Sequence, residues 1–162
     1  MRKFFVFLMA VFAFALQYSY AQDAPLKIVT NHPDFKIKID RCAASGSTVV
    51  LDMLFINKGS EDIDEVSVKT HYEGHNSEAI DNEGNTYSGT IYAYVKDKTT
   101  QYGDTRGFSL LPDVPMKVRI TIENFSETAE SIARLKLRVD CNKWRIGKFK
   151  LVELRNIPIT RD

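Results

Sequence analysis

The sequence predicts an all-β chain, an antiparallel β-sandwich, and three observations lead there. Apolar and polar residues alternate with a period of two through most of the chain, as strands with one buried face require. Turn signals recur at intervals of roughly 8–12 residues, the spacing of short strands in all-β domains. The stretch Ser47 to Gly59 is apolar at both parities, with Val49, Leu51, Met53 and Phe55 against Val50, Leu54 and Ile56, broken only by Asp52. Its β-branched and aromatic content suits a pleated strand. Apolar residues of both parities predict a central strand covered on both faces for much of its length.

The first 21 residues read as a signal peptide. Arg2 and Lys3 precede a wholly apolar run of 13 residues, Phe4 to Leu16, and Ser19 and Ala21 are the small residues that precede a cleavage site. As a helix the run reaches only about 20 Å, short of a bilayer core, so it predicts an exported, soluble protein, periplasmic or extracellular, with no transmembrane anchor after cleavage. No cysteine stands near the cut to take a lipid. Residues 22–33 are polar, contain Pro25 and Pro33, and are expected to form a flexible arm. Residues 34–162 are expected to form a single domain with its own core.

The elements follow in order. Phe35, Ile37 and Ile39 alternate with Lys36, Lys38 and Asp40, predicting a strand that ends at Cys42 and a turn over Ala43 to Gly46. After the central strand and its Asn57-Lys58-Gly59-Ser60 turn, Glu65 to Glu73 alternates again. Asp81 to Asn85 is a turn between Ala79-Ile80 and Thr86-Tyr87, predicting a hairpin. Ile91, Ala93 and Val95 form one face of the next strand, and Lys96 to Gly107 reads as a long polar loop. Leu110 to Pro115 is a proline-bounded connection. Met116 to Asn124 is a regular strand with Val118, Ile120 and Ile122 inward. In Ser126 to Arg134, Ile132 and the following Leu135 are spaced for one helical face, predicting a single turn of helix. Leu135, Leu137, Val139 and Cys141 share one strand face. A turn bearing Trp144 leads to a last strand, Phe149 to Ile159. The total is seven to nine strands; a lipocalin-like barrel is the alternative, and the uneven strand lengths favour the sandwich.

Three segments resemble those of small secreted immunoglobulin-like domains of unknown function, the immunoprotection-protein type: Phe55-Ile-Asn-Lys-Gly59, Asp81-x-x-Gly84-x-x-Tyr87, and Leu111-Pro112 with Pro115-Met-Lys117 at the entry to the regular strand. The resemblance covers about residues 45 to 140. It implies an immunoglobulin-like sandwich and an exported binding or accessory module, and it supplies no catalytic residues. Where that family has a glycine before the regular strand, Asp113 stands here.

Cys42 and Cys141 are the only cysteines. An even count in an exported chain predicts a disulfide, closing a loop of about 100 residues worth roughly 4–5 kcal/mol in the chain-entropy picture. Basic and acidic residues number 22 and 21. Loss of Arg2 and Lys3 with the leader leaves a net charge near −1, with no basic face evident in the pattern, which argues against nucleic acid. His71 and His75 are four apart, but on a strand running into Gly74 they do not converge on a metal. Asp81, Glu83 and Asn85 do not match a calcium loop, since Gly84 and Tyr92 fall where the loop needs other residues. No nucleophile elbow, P-loop or dinucleotide fingerprint is present.

The expectation is a protein that is not an enzyme, takes no cofactor or metal, and works by contact with a protein or glycan. If Ile91, Ala93 and Val95 face the core, Tyr92 and Tyr94 stand together on the outer face, where tyrosines bury large area at low entropic cost. Tyr102 and Trp144 are candidates to join them. Packing under the long loop is the competing account of these rings. A small-molecule carrier is the alternative function, and a hydrolase assembled from distant residues a more remote one.

Overall fold

In the computed structural model, residues 24–30, 33–71, 77–100, 103–141 and 150–161 are described. Among them twelve strands follow in order: β1 (Lys27–Val29), β2 (Phe35–Ser45), β3 (Thr48–Asn57), β4 (Ile63–Lys69), β5 (Glu78–Asp81), β6 (Thr86–Tyr87), β7 (Ile91–Val95), β8 (Phe108–Leu110), β9 (Met116–Ile122), β10 (Ser131–Asp140), β11 (Lys150–Pro158) and β12 (Thr160–Arg161). They form two sheets. One runs β12-β2-β3-β9-β7; the other runs β1-β11-β10-β4-β8, with β5 on β10 and β6 on β5. Neither closes on itself, so the all-β architecture is an open pair of sheets and not a barrel. The pairing is antiparallel except for β12 on β2. No helix among the described residues is long and apolar enough to cross a membrane.

The core lies between the sheets. Leu51, Phe55 and Ile120 from one sheet meet Val68, Leu135, Leu137 and Leu154 from the other, all withdrawn from water. Fully burying such a side chain contributes about 1.5–3 kcal/mol. Phe35 and Phe55 pack edge to face at 4.9 Å between ring centres, the arrangement the ring quadrupoles favour.

β3 is the central strand of its sheet, as its sequence predicts, yet only one face is buried. Val49, Leu51, Met53 and Phe55 point into the core, while Val50, Asp52, Leu54 and Ile56 are half-buried on the outer face. The second parity is therefore a partly exposed apolar floor. At its end the fully buried Asn57 ties the sheets together. Its Nδ2 donates to the carbonyls of Glu61 (2.7 Å) and Leu110 (3.0 Å), and its Oδ1 accepts from Gly59 N (2.9 Å).

Several local expectations are corrected. Residues 27–29, assigned to an arm, form β1 along β11. β2 does not end at Cys42 but runs to Ser45, because its register on β3 slips by one residue between Ile39 and Arg41. This bulge inverts the alternation. Phe35 and Ile37 face in before it, Cys42 and Ala44 after it, and Arg41 is turned outward. The helical turn in Ser126 to Arg134 does not form. Asn82 Oδ1 takes the N–H groups of Glu130 and Ser131, and Ser126 Oγ takes that of Thr128, leaving fewer donors for a helix. The three-residue spacing of Ile132 and Leu135, both buried, comes from a register slip of β10 against β5.

The expected disulfide is also corrected: Cys42 and Cys141 are not joined to one another. Cys42 lies in β2 next to Ala43, which pairs with Thr160 just beyond the end of β11 that meets the start of β10. Cys141 follows the far end of β10, nine residues from Ile132, or about 30 Å of strand. A bridge needs Cα atoms within about 7 Å. Burial pushes the Cys42 thiol up to about 12, so at pH 8 it is protonated as well as covered. In the folded protein iodoacetamide is expected to leave Cys42 unlabelled, with full labelling in urea, read by peptide mass spectrometry. Labelling of folded protein at the rate of an open thiol would contradict this placement.

Candidate functional site

The site is the outer face of the five-stranded sheet. Strand registers place one residue from each of four strands in a row: Tyr94 of β7 opposite Arg119 of β9, Arg119 opposite Asp52 of β3, and Asp52 opposite Arg41 of β2. The contacts follow the registers. Arg119 Nε donates to Asp52 Oδ1 at 2.8 Å, and Arg41 Nη2 lies 3.3 Å from Asp52 Oδ2. Asp52 thus holds two guanidinium groups from the strands on either side. The hydrogen bond to Asp52 and that carboxylate's charge, outweighing partial desolvation, push the Arg119 guanidinium further above its already high range. The outward edges of both arginines remain open to water, with 61% of the Arg41 and 45% of the Arg119 side chain exposed.

Depressions flank this row on both sides. The larger, about 570 Å³, is lined by Leu54, Tyr94, Lys96, Pro115 and Lys117 among others; the smaller, about 360 Å³, by Val50 and Thr121, and both share Tyr94, Asp97 and Arg119. The face is basic. Lys36, Lys38, Arg41, Lys96, Lys117 and Arg119 are all exposed on it or at its rim, against Asp40, Asp52, Asp97 and Glu123. The alternation pattern did not reveal this, because the bulge in β2 is what brings Arg41 to the face that carries Lys38.

Backbone strain is stored at the rim. Lys96 and Asp97 have φ of 53° and 56°, and Val95 and Lys98 exchange both backbone hydrogen bonds at 3.0 Å. This is a two-residue hairpin of the type that favours Asn-Gly. It aims the Asp97 carboxylate at Arg119 Nη1, 3.3 Å away. The double substitution Lys96→Asn with Asp97→Gly is expected to stabilise the protein by about 1–2 kcal/mol, since left-handed non-glycine residues each cost on the order of 1 kcal/mol and the exposed ion pair lost with them contributes little. An unchanged urea midpoint would contradict this account of the turn. Asp113, standing where the resembling family has glycine, also has φ of 56°.

Of the four candidate aromatic residues, Tyr94 lies in the row. Tyr92 is half-buried under the chain that returns from β7. Gly103 has φ of 78°, and a Cβ there would sit 2.8 Å from the Tyr92 ring. Gly103 O accepts from Ala93 N at 2.7 Å, so Tyr92 serves packing. Tyr102 and Trp144 lie outside the described residues, as does His75. His71 spends its ring nitrogens on Gly89 O (2.8 Å) and Thr70 Oγ1 (3.0 Å). Among the described residues no group of three or more His, Cys, Asp and Glu side chains is placed to hold a metal ion.

Asp81 belongs to a closed network, not to an open site. Its Oδ1 accepts from Glu83 N and Asn85 N at 2.9 Å, and its Oδ2 from Asn85 Nδ2 at 2.9 Å and Tyr87 OH at 2.7 Å. Tyr87 OH in turn accepts from Ser126 N at 2.9 Å. Burial works to raise the Asp81 carboxyl, but these hydrogen bonds, from Tyr87 and Asn85 first, outweigh it and hold the group below the ordinary carboxylate range. No protein-family model matches the chain, and no curated protein matches it.

Proposed function

We propose that this protein is an exported binding module that engages its partner through the outer face of the five-stranded sheet, without catalysis. One observation carries the reading: the row Tyr94–Arg119–Asp52–Arg41 fixes an aromatic ring and two exposed guanidinium groups across four strands, beside an open depression with an apolar floor. Aromatic and arginine side chains of this kind dominate binding energy in interfaces. The acid in the row is engaged by arginines on both sides, which suits holding side chains in place more than proton transfer. The carrier reading has less support, since both depressions described lie along the outer face and the space between the sheets is filled by Leu51, Phe55, Ile120 and Leu135. Export rests on the leader at residues 1–21.

An immunoglobulin-like reading of the sandwich has support from strand order. β2-β3-β9-β7 against β11-β10-β4 follows the A-B-E-D and G-F-C order of a constant-type domain. The flat sheet faces of such domains, as well as their loops, are available for contact. The test is an array of glycans and peptides probed with the protein, with Tyr94→Ala/Arg119→Ala, and with Arg155→Ala, which removes an exposed cation from the other sheet. Signals lost only in the double variant are expected; identical profiles for all three proteins would contradict the reading.

A further inference from the structure

The chemistry of the partner follows from the spacing of charges on this face, and the inference rests on the face being the binding surface. We infer that the partner is an acidic polysaccharide with a carboxylate on every second sugar, lying across the strands. On β2, Lys38 and Arg41 share the outer face because the bulge between them restores the parity; on β9, Lys117 and Arg119 share it by simple alternation. Lys38 and Lys117 both oppose Leu54 of β3, and Arg41 and Arg119 both oppose Asp52. The face therefore presents two Lys–Arg pairs two strands apart, about 9–10 Å, with Leu54 as an apolar step between the lysines and Asp52 between the arginines, bonded to the inner edge of each.

A sugar ring in an extended chain is about as long as one inter-strand gap of about 4.8 Å. Carboxylates on alternate sugars therefore meet the two cation pairs, while the sugar between them rests its C–H face over Leu54. One gap further on, Tyr94 stands opposite Arg119 on β7, where an aromatic side chain suits the next sugar. An acidic peptide fits less well. A strand laid on the face of a sheet finds no backbone partners there, because the N–H and C=O groups of a sheet point along it to its edges. A polysaccharide has no such requirement. Opposite charge on an open face also predicts marked salt dependence.

Calorimetric titration of the whole protein tests this with four probes: hyaluronan tetrasaccharide (a carboxylate on alternate sugars), tetragalacturonate (on every sugar), cellotetraose (none) and polyglutamate. The expected result is that the hyaluronan tetrasaccharide binds at least tenfold more tightly than cellotetraose and that 0.5 M NaCl weakens it at least tenfold. Arg41→Ala and Arg119→Ala should each cost tenfold or more, whereas Arg155→Ala, on the other sheet, leaves affinity unchanged. Equal or tighter binding of tetragalacturonate overturns the alternate-sugar spacing. Cellotetraose binding that is lost only with Tyr94→Ala overturns the acidic partner but leaves the face as the binding surface, as does polyglutamate binding lost only with Arg119→Ala. Acidic-sugar binding that Arg41→Ala and Arg119→Ala both leave intact overturns the inference and the face together.

Discussion

Asn57→Ala is expected to destabilise the protein by about 3 kcal/mol, seen as a lower urea midpoint with little change in slope. The side chain is fully buried and makes three hydrogen bonds, to Glu61 O, Leu110 O and Gly59 N. Alanine leaves the buried Leu110 carbonyl without that partner, together with the part-buried Glu61 carbonyl and Gly59 N–H, and the unmet buried carbonyl costs more than its bond contributes. The loss is expected to be cooperative, because the two carbonyls lie in the β3–β4 connection and in β8, so Asn57 links the sheets. Asn57→Asp should be nearly as damaging, since a carboxylate accepts where the amide donates. A change below about 1 kcal/mol for Asn57→Ala would show that this tie between the sheets is replaceable.

The Asp81 network should give an effect of similar size with a pH signature. Asp81→Ala removes four hydrogen bonds to a buried carboxylate and strips Tyr87 OH of its acceptor; about 3–4 kcal/mol is expected. Asp81→Asn keeps the shape but confronts donors with an NH2 group. The folded carboxyl lies below its unfolded value, so the unfolded chain takes up a proton first as pH falls. The stability it contributes is thus fully present above the ordinary carboxylate value of about 3.9 and is lost as pH drops through the lower folded value. The difference in urea midpoint between wild type and Asp81→Asn should be flat from pH 5 to 8 and shrink below about pH 4. A difference that stays constant down to the acid limit would contradict the hydrogen-bonded carboxylate.

Much of the architecture was legible in the chain because alternation reports directly on which face of a strand is buried. The regular strand β9 follows from it, the hairpin at Asp81 to Asn85 follows from its turn residues, and the central place of β3 from its apolar content. The misreadings share a cause. A bulge leaves composition unchanged but reverses parity, so β2 reads as ending at Cys42 and β10 as beginning with a helical turn. The Ser126–Arg134 segment was harder still, since two of its backbone donors, the Glu130 and Ser131 N–H groups, are taken by Asn82, 48 and 49 residues away in the chain. The candidate site was half legible. Tyr94 could be placed outward from its neighbours, but Arg41, Asp52 and Arg119 come together only through pairings among β2, β3 and β9, and Arg41 only through the bulge. The apolar residues Val50, Leu54 and Ile56 looked like a second buried face, whereas they form the half-exposed floor. Asp52, the one charge in that run, was the available signal that water reaches this side.

The account turns on whether the outer face of the five-stranded sheet is where a partner sits. Amide NMR spectra recorded during titration with hyaluronan tetrasaccharide, and separately with polyglutamate, test it most directly. The account predicts shifts concentrated at Lys38, Arg41, Asp52, Leu54, Tyr94, Lys117 and Arg119, with β1, β10 and β11 silent. Shifts centred on β10 and β11, or none with either probe, would contradict it.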